Sequence, residues 1–168
     1  SHARKTAVLL DKIFSEASES VLLAGFAFTN GEKIFEKLYE RLANHGVRAT
    51  FYINVDKPKG QALNWDKNQD RVRDFRRKNW PFGAPEPDFY VDRRVTVDTG
   101  IVTLHAKCVV VDQRQTLLTS ANFTYSGQHK NIEAGTLLQD PAFASTVIAQ
   151  FNMATQAQHF IRVKLSKS

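Results

Sequence analysis

The chain has 168 residues, enough for one domain with a real core and cramped for two. Hydrophobic residues make up 42%, but no run approaches the roughly 18 apolar residues of a membrane span, so no stable membrane association is expected. Lys and Arg outnumber Asp and Glu by 23 to 17; the net charge of +6 favours an anionic partner without choosing among nucleic acid, membrane surface and plain solubility.

One cysteine excludes an intramolecular disulfide, and the leading SHARKTAV has no signal-peptide apolar region, so a cytoplasmic protein is expected. Five scattered histidines and that one cysteine show no ligand spacing, and neither a metal nor another cofactor is expected.

In chain order, strands alternate with helices. The spacing of Val8, Leu9, Ile13 and Ala17 predicts an amphipathic helix over 7–19. Residues 21–28 form a short apolar run without a helical stripe, the pattern of a buried strand. Within it, Phe26 and Phe28 read as core packing rather than as flanks of a substrate. Thr29-Asn30-Gly31 is a turn, and Ile34, Phe35, Leu38 and Leu42 stripe a helix over 32–44 that stops at Gly46, a residue suited to a left-handed cap. A strand follows over 47–55. This β-α-β unit implies parallel strands joined by a right-handed crossover.

Between 56 and 100 the pattern loosens. Pro58, Pro81, Pro85 and Pro87 mark loops on either side of one helix over 66–79. That helix sets Arg71, Arg73, Arg76, Arg77 and Lys78 around Val72 and Phe75. Its basic face is either simply solvated or borders a substrate groove and meets phosphates. Trp80 staples the helix end to the core. Residues 89–91 form a further strand that feeds Arg93 and Arg94, which would extend the same charge.

Residues 104–112, Leu-His-Ala-Lys-Cys-Val-Val-Val-Asp, read as part of a hydrophobic strand over 101–111 with an imidazole and an ammonium two residues apart. Side chains at i and i+2 share a face, so His105 and Lys107 point one way and Leu104, Ala106, Cys108 and Val110 the other. Cys108 is read as a small buried hydrophobe. Asp112 stands at odd spacing from both and is read as structural. Ser120 and Asn122, then Asn131 and Glu133, repeat the same-side pairing. Strands are expected over 116–119 and 133–138, the latter as the last of the core, and a closing helix over 141–156. Neutral imidazole can act as a nucleophile near pH 7. Lys107, Ser120 and Asn122 could hold the oxygens of a phosphoryl group, and Glu133 could accept the other ring N–H of His105.

The combination H-x-K-x4-D, S-x-N and N-x-E, carried by His105, Lys107, Asp112, Ser120, Asn122 and Glu133, resembles the phospholipase D superfamily. The similarity runs over about residues 8–151, with Thr119 where the family usually has Gly. The wording LHAKCVVVD, TSANFT and NIEAG most resembles the phospholipase D-like component of the DISARM anti-phage system. The resemblance implies an α/β fold, an αβα sandwich with a mixed, mostly parallel sheet and helices on both faces. It implies one domain over 1–168, with a core of about 8–156 and a loop-and-helix insertion of about 56–87.

It also implies a metal-independent phosphodiesterase, nuclease-like, with a covalent phosphohistidine at His105. The family takes the leaving-group proton from a second H-x-K motif. This chain has one, since His2, His45, His129 and His159 have no Lys two residues on, and His129-Lys130 reads as a loop histidine. A symmetric homodimer is the economical source of the second motif. The expected partners are therefore nucleic acid (DNA before RNA), a second copy, and other defence-system subunits. A lipid hydrolase of the same chemistry and a non-catalytic nucleic-acid-binding subunit remain alternatives.

Overall fold

The period-2 apolar runs and the 3.6-period stripes fold as alternating strands and helices in the computed structural model, which describes residues 6–55, 65–96 and 103–163. In order these are α1 (Thr6–Glu16), β1 (Ser20–Gly25), α2 (Gly31–His45), β2 (Arg48–Ile53), α3 (Trp65–Asn79), β3 (Asp88–Asp92), β4 (Cys108–Val111), β5 (Gln115–Thr119), α4 (Tyr125–His129), β6 (Gly135–Gln139), α5 (Pro141–Gln156) and β7 (Phe160–Arg162). A 3-10 turn, Arg93–Thr96, follows β3. The seven strands form one sheet in the order β6-β5-β4-β1-β2-β3-β7.

Alternation of side chains along each strand splits the apolar residues between two layers. Val21 and Leu23 of β1, Phe51 of β2 and Val109 of β4 join Leu10, Ile13 and Phe14 of α1, Phe35 and Leu38 of α2, and Val72 of α3. Leu22, Ala24, Tyr52, Cys108 and Val110 face the other way, against Ala144 and Phe151 of α5 and Phe160 of β7. Each large aliphatic or aromatic side chain so covered contributes about 1.5–3 kcal/mol. Helices therefore cover both faces.

α2 ends at Gly46, whose φ of 68° and N–H bond to Arg41 O make the left-handed cap. Trp80, only 1% exposed, donates its indole N–H to Gly83 O and Pro85 O at 3.1 and 3.3 Å, closing the end of α3. The described part of segment 56–87 contains α3, and α3 is the crossover between two parallel strands, β2 and β3.

The sheet is mixed, but its balance differs from the mostly parallel one expected. Among the strands of the described residues, only β1–β2 and β2–β3 pair in parallel; the β1–β4, β4–β5, β5–β6 and β3–β7 pairs are antiparallel. The physical reason lies in the connections. β4 and β5 are joined by a tight three-residue connection, 112–114, whose turn has Asp112 and Gln113 at its centre at φ 50° and 54° and is closed by Arg114 N–H on Val111 O at 3.0 Å. Positive φ at both central residues matches the right-handed twist of a hairpin.

Two expected strands also start late. The motif strand begins only at Cys108, with 103–107 outside the ladder; Ile101 and Val102 lie outside the described residues. The strand expected from Glu133 begins at Gly135. Nor is β6 the last strand, since β7 follows α5 and adds to the outer edge of β3.

Candidate active site

The directions of four strands decide where the motif residues meet. β4 runs against β1 with Ala24 opposite Cys108, so the entry to β4 lies beside the exit of β1. β5 runs against β4 and β6 against β5, with Cys108 opposite Leu118 and Thr119 opposite Gly135. One end of the sheet therefore collects the residues after β1 and β5 and those before β4 and β6. These are Phe26, the Ser120–Asn122 turn, the His105–Lys107 segment, and the Asn131–Glu133 segment. The turn and both entry segments are tied together by backbone. Thr119 N–H donates to Lys107 O at 3.1 Å and Ser120 N–H to Ala134 O at 2.9 Å.

His105 and Lys107 share a side, as their spacing predicts. Lys107 Nζ donates to His105 O at 3.0 Å and stands 3.4 Å from His105 Nε2. Opposite them Leu104 packs on the α5 layer with Cys108 and Val110. The Cys108 thiol is pushed up to about 11 by burial and is not a nucleophile near neutral pH.

Phe26 lies against this pair. Its ring centroid is 4.8 Å from that of His105 and 5.4 Å from Lys107 Nζ, a cation–π distance. Phe28 goes instead to the core, stacked on Phe123 at 5.4 Å and edge-on to Phe75 at 4.9 Å. The two phenylalanines were expected together in the core. They part because β1 ends at Gly25, where an added Cβ would run into the rings of Phe28 and Phe123.

Ser120 and Glu133 face each other, but in a different pattern from the one expected. The Ser120 hydroxyl donates to Glu133 Oε2 and accepts Ala134 N–H at 3.0 Å. Glu133 Oε1 accepts Asn131 Nδ2 at 3.1 Å. Glu133 does not bond His105: it is turned to Ser120 and Asn131 by its own segment, which leads into β6. The hydrogen bond from Ser120 first, then that from Asn131, hold the Glu133 carboxyl below its ordinary value, with the charge of Lys107 adding to them. Asn122 sits in the same turn, and its Oδ1 is buried without a hydrogen-bond partner.

Thr119 occupies the place of the glycine usual before the serine. Its Oγ1 accepts Ala121 N–H at 3.0 Å and helps make the turn. The glycine stands across the ladder instead. A Cβ on Gly135 would come within 3.2 Å of Thr119 Cβ and 3.0 Å of Leu118 O.

Asp112 lies at the other end of β4, in the hairpin turn rather than on a strand. Its carboxylate accepts Ser18 N–H and Oγ–H, Glu19 N–H and Ser20 N–H at 2.7–2.9 Å, pinning the α1–β1 junction. His129 is exposed and stacks on Tyr125 at 4.8 Å.

The expected basic patch is largely engaged in ion pairs. Arg73 pairs with Asp70, Arg76 with Glu86, Arg77 with Asp74, and Lys78 with Asp74 at 2.5 Å. Arg94 bonds Asp92, itself buried, at 2.7 Å. Arg71 lies on α3 with them and Arg93 precedes Arg94. Arg93 and Arg94 follow β3, which is parallel to β1, so they stand at the same end of the sheet as His105. They are three strand positions away, roughly 14 Å. The last turn of α3 abuts Gly31, where an added Cβ would strike the backbone of Asn79. Among the described residues, no helix is long and apolar enough to cross a membrane.

Comparisons with known proteins agree with this fold. DISARM protein DrmC of Bacillus paralicheniformis is 29% identical over 137 residues, 80% of this chain; the chain spans about half, 50%, of that relative. NucT from Helicobacter pylori superposes with a TM-score of 0.65 at 16% identity, over 94% of this chain and 89% of that one. Nuc from Salmonella typhimurium, a phospholipase D family member, does so with a TM-score of 0.61 at 16% identity, over 94% and 90%. Phosphatidylserine synthase of Haemophilus influenzae shares the fold over 92% of this chain and 36% of its own, with a TM-score of 0.64 at 19% identity. The family described as "Cardiolipin synthase, PLD-like domain" matches residues 10–155, and the chain belongs to this phospholipase D-like family.

Proposed function

We propose that the chain is a metal-independent phosphodiesterase that cuts nucleic acid, DNA before RNA, through a phosphohistidine at His105. The observation that carries this reading is Lys107 Nζ at 3.4 Å from His105 Nε2, at the sheet end where Ser120 and Asn122 also stand. An imidazole supplies the nucleophile and an ammonium the positive charge, so the chain brings both from its own side chains.

In the proposed reaction His105 Nε2 attacks the phosphorus of the diester. An N–P bond forms as the bond to the leaving oxygen breaks. Lys107 and the amide of Asn122 donate to the non-bridging oxygens as negative charge grows on them. Ser120, whose hydroxyl donates to Glu133, joins when a phosphate oxygen displaces that carboxylate as its acceptor. Phe26 holds the ring of His105 in place. The leaving oxygen takes its proton from the partner subunit's His105, in a homodimer that brings two copies of the motif together. Water then attacks the phosphohistidine, gives its proton to the same partner imidazole, and releases His105.

The similarity to DISARM protein DrmC supports a role in anti-phage defence, alongside other subunits of such a system. The test is incubation with labelled single- and double-stranded DNA, RNA and phosphatidylcholine, all with chelator present. Cleavage of nucleic acid is expected. Mixing His105→Ala with wild-type chains should give heterodimers that are nearly inactive rather than half active. Cleavage of the lipid alone would move the reading to a lipid hydrolase, and binding without cleavage to a non-catalytic subunit. Activity abolished by chelator and restored by a divalent metal would overturn the mechanism.

A further inference from the structure

Asn122 lies in the irregular turn between β5 and α4, beyond the last ladder bond of either neighbour, so something other than the sheet must hold it. Its flanks are fixed by burial, since Ala121 and Phe123 are both fully covered, and Phe123 O accepts Thr29 N–H at 3.0 Å. Its own carbonyl oxygen accepts Gln128 Nε2 at 2.8 Å.

Gln128 is a strange residue to find there. It is 3% exposed, and its Oε1 is buried with no hydrogen-bond partner. A buried polar atom left unpaired costs stability, and an apolar side chain of similar length would avoid that cost. Packing therefore does not account for the amide. The bond it makes to Asn122 does.

The rest of α4 is built to deliver this contact. Thr124 caps the helix, its Oγ1 accepting Gly127 N–H at 3.1 Å, and Gln128 N–H donates to Thr124 O at 2.9 Å. Gly127 lies directly against the same target. A Cβ there would stand 2.6 Å from Asn122 O and 3.0 Å from Asn122 N, so only glycine lets the helix approach.

We propose that Gln128, seated by Gly127, is a positioning residue that orients Asn122 toward the phosphoryl group. This rests on the phosphodiesterase reading for its consequence in turnover, and on the Asn122 contact alone for its geometry. Misplacing a donor by about an ångström can cost up to about a hundredfold in rate. Gln128→Met keeps the length and removes the donor.

Two measurements decide the proposal. Nuclear-spin relaxation on wild type and Gln128→Met should show Asn122 losing order while the other amides keep theirs. In turnover, Gln128→Met should lower kcat by about tenfold to a hundredfold with KM nearly unchanged. It should cost nothing further in an Asn122→Ala background, whereas its loss should add to that of a Phe26→Leu variant. Unchanged order at Asn122, or losses that add in the Asn122→Ala background, would overturn it. So would failure of both Gln128→Met and Gln128→Leu to fold, which would make the residue purely structural. A wild-type chain inactive on every substrate would remove the phosphodiesterase reading and leave the relaxation result to decide the positioning claim.

Discussion

Lys107 Nζ stands 3.4 Å from His105 Nε2, and an ammonium has donors only, so in the tautomer that accepts from it the ring proton is on Nδ1. In the proposed reaction that Nε2 attacks once Lys107 turns to the phosphate oxygens. Both side chains precede the ladder of β4, and His105 is exposed. His105→Ala and Lys107→Ala should each lower kcat by at least roughly a hundredfold. Melting temperature should hardly move, as differential scanning calorimetry would register. Two folded variants that each retain more than about a tenth of the activity would contradict the assignment.

Glu133 accepts from Ser120 and Asn131 rather than from His105, and this separates two magnitudes. Removing a carboxylate that orients a catalytic histidine costs roughly ten-thousandfold; removing one that only holds a serine hydroxyl should cost no more than losing that donor outright, about a hundredfold to a thousandfold. Glu133→Gln is expected at the smaller value. Its carboxyl is held low, chiefly by Ser120 and then by Asn131, so a folded pKa below the unfolded one makes its contribution present above the unfolded value and lost as pH falls through the folded one. Between pH 5 and 8, where the carboxylate stays ionised, the pH–rate profiles of Glu133→Gln and wild type should have the same shape. Loss of the acid limb in the variant would mean that Glu133 titrates in turnover.

Asp112 should matter for stability and not for chemistry. Burial pushes its carboxyl up, but the bonds from Ser20, Glu19 and Ser18 together outweigh it and leave the value lowered. Its stabilisation is therefore complete above the unfolded pKa and lost as pH falls through the folded one, in the acid range below about pH 4. Hydrogen bonds to a charged acceptor contribute about 1.5–3 kcal/mol in buried settings. Partial exposure here brings Asp112→Asn to about 1–2 kcal/mol, a fall of about 2–8 °C in Tm at pH 7. Turnover well below that Tm should be unchanged. A dead enzyme with an unchanged Tm would place Asp112 in the reaction.

The split between what the sequence discloses and what it hides follows from which interactions are local. Spacing of two puts His105 with Lys107, and that holds even outside a ladder. The stripe of α2 and the cap at Gly46 are likewise local. The antiparallel half of the sheet turns on a hairpin at Asp112 and Gln113, and glutamine is not a residue that announces positive φ. β7 is three residues long, too short for any period to show. Phe26 and Phe28 look alike in sequence and differ only because β1 stops at Gly25. The partner of Glu133 and the partner of Gln128 are set by how distant segments dock, and no spacing rule reaches them. Residue type alone hints at Gln128, as a polar residue between a glycine and a histidine in a five-residue helix, but nothing names its acceptor.

Binding of nucleic acid should be mostly phosphate-directed, yet weaker in its salt dependence than the count of arginines suggests. Arg73 and Arg77 already face Asp70 and Asp74. Exposed pairs of this kind contribute only about 0–1 kcal/mol, so phosphates can compete for them. Replacing both with Gln should flatten the log–log salt slope by up to about 1.8 and weaken all sequences about equally, as fluorescence anisotropy would show. An unchanged slope, or tighter binding to anionic vesicles than to oligonucleotides, would remove α3 from the nucleic-acid surface.

The central claim is a covalent bond between His105 and the scissile phosphorus, and trapping it is the most direct test. A 5′-labelled oligonucleotide should be mixed with enzyme in chelator, quenched in alkali within a turnover, and the digested protein examined by mass spectrometry. The account predicts a phosphoramidate on the peptide carrying His105, stable to alkali, labile to acid and absent from His105→Ala. Product formed at full rate with no adduct on His105, or an adduct on Ser120 instead, would contradict it.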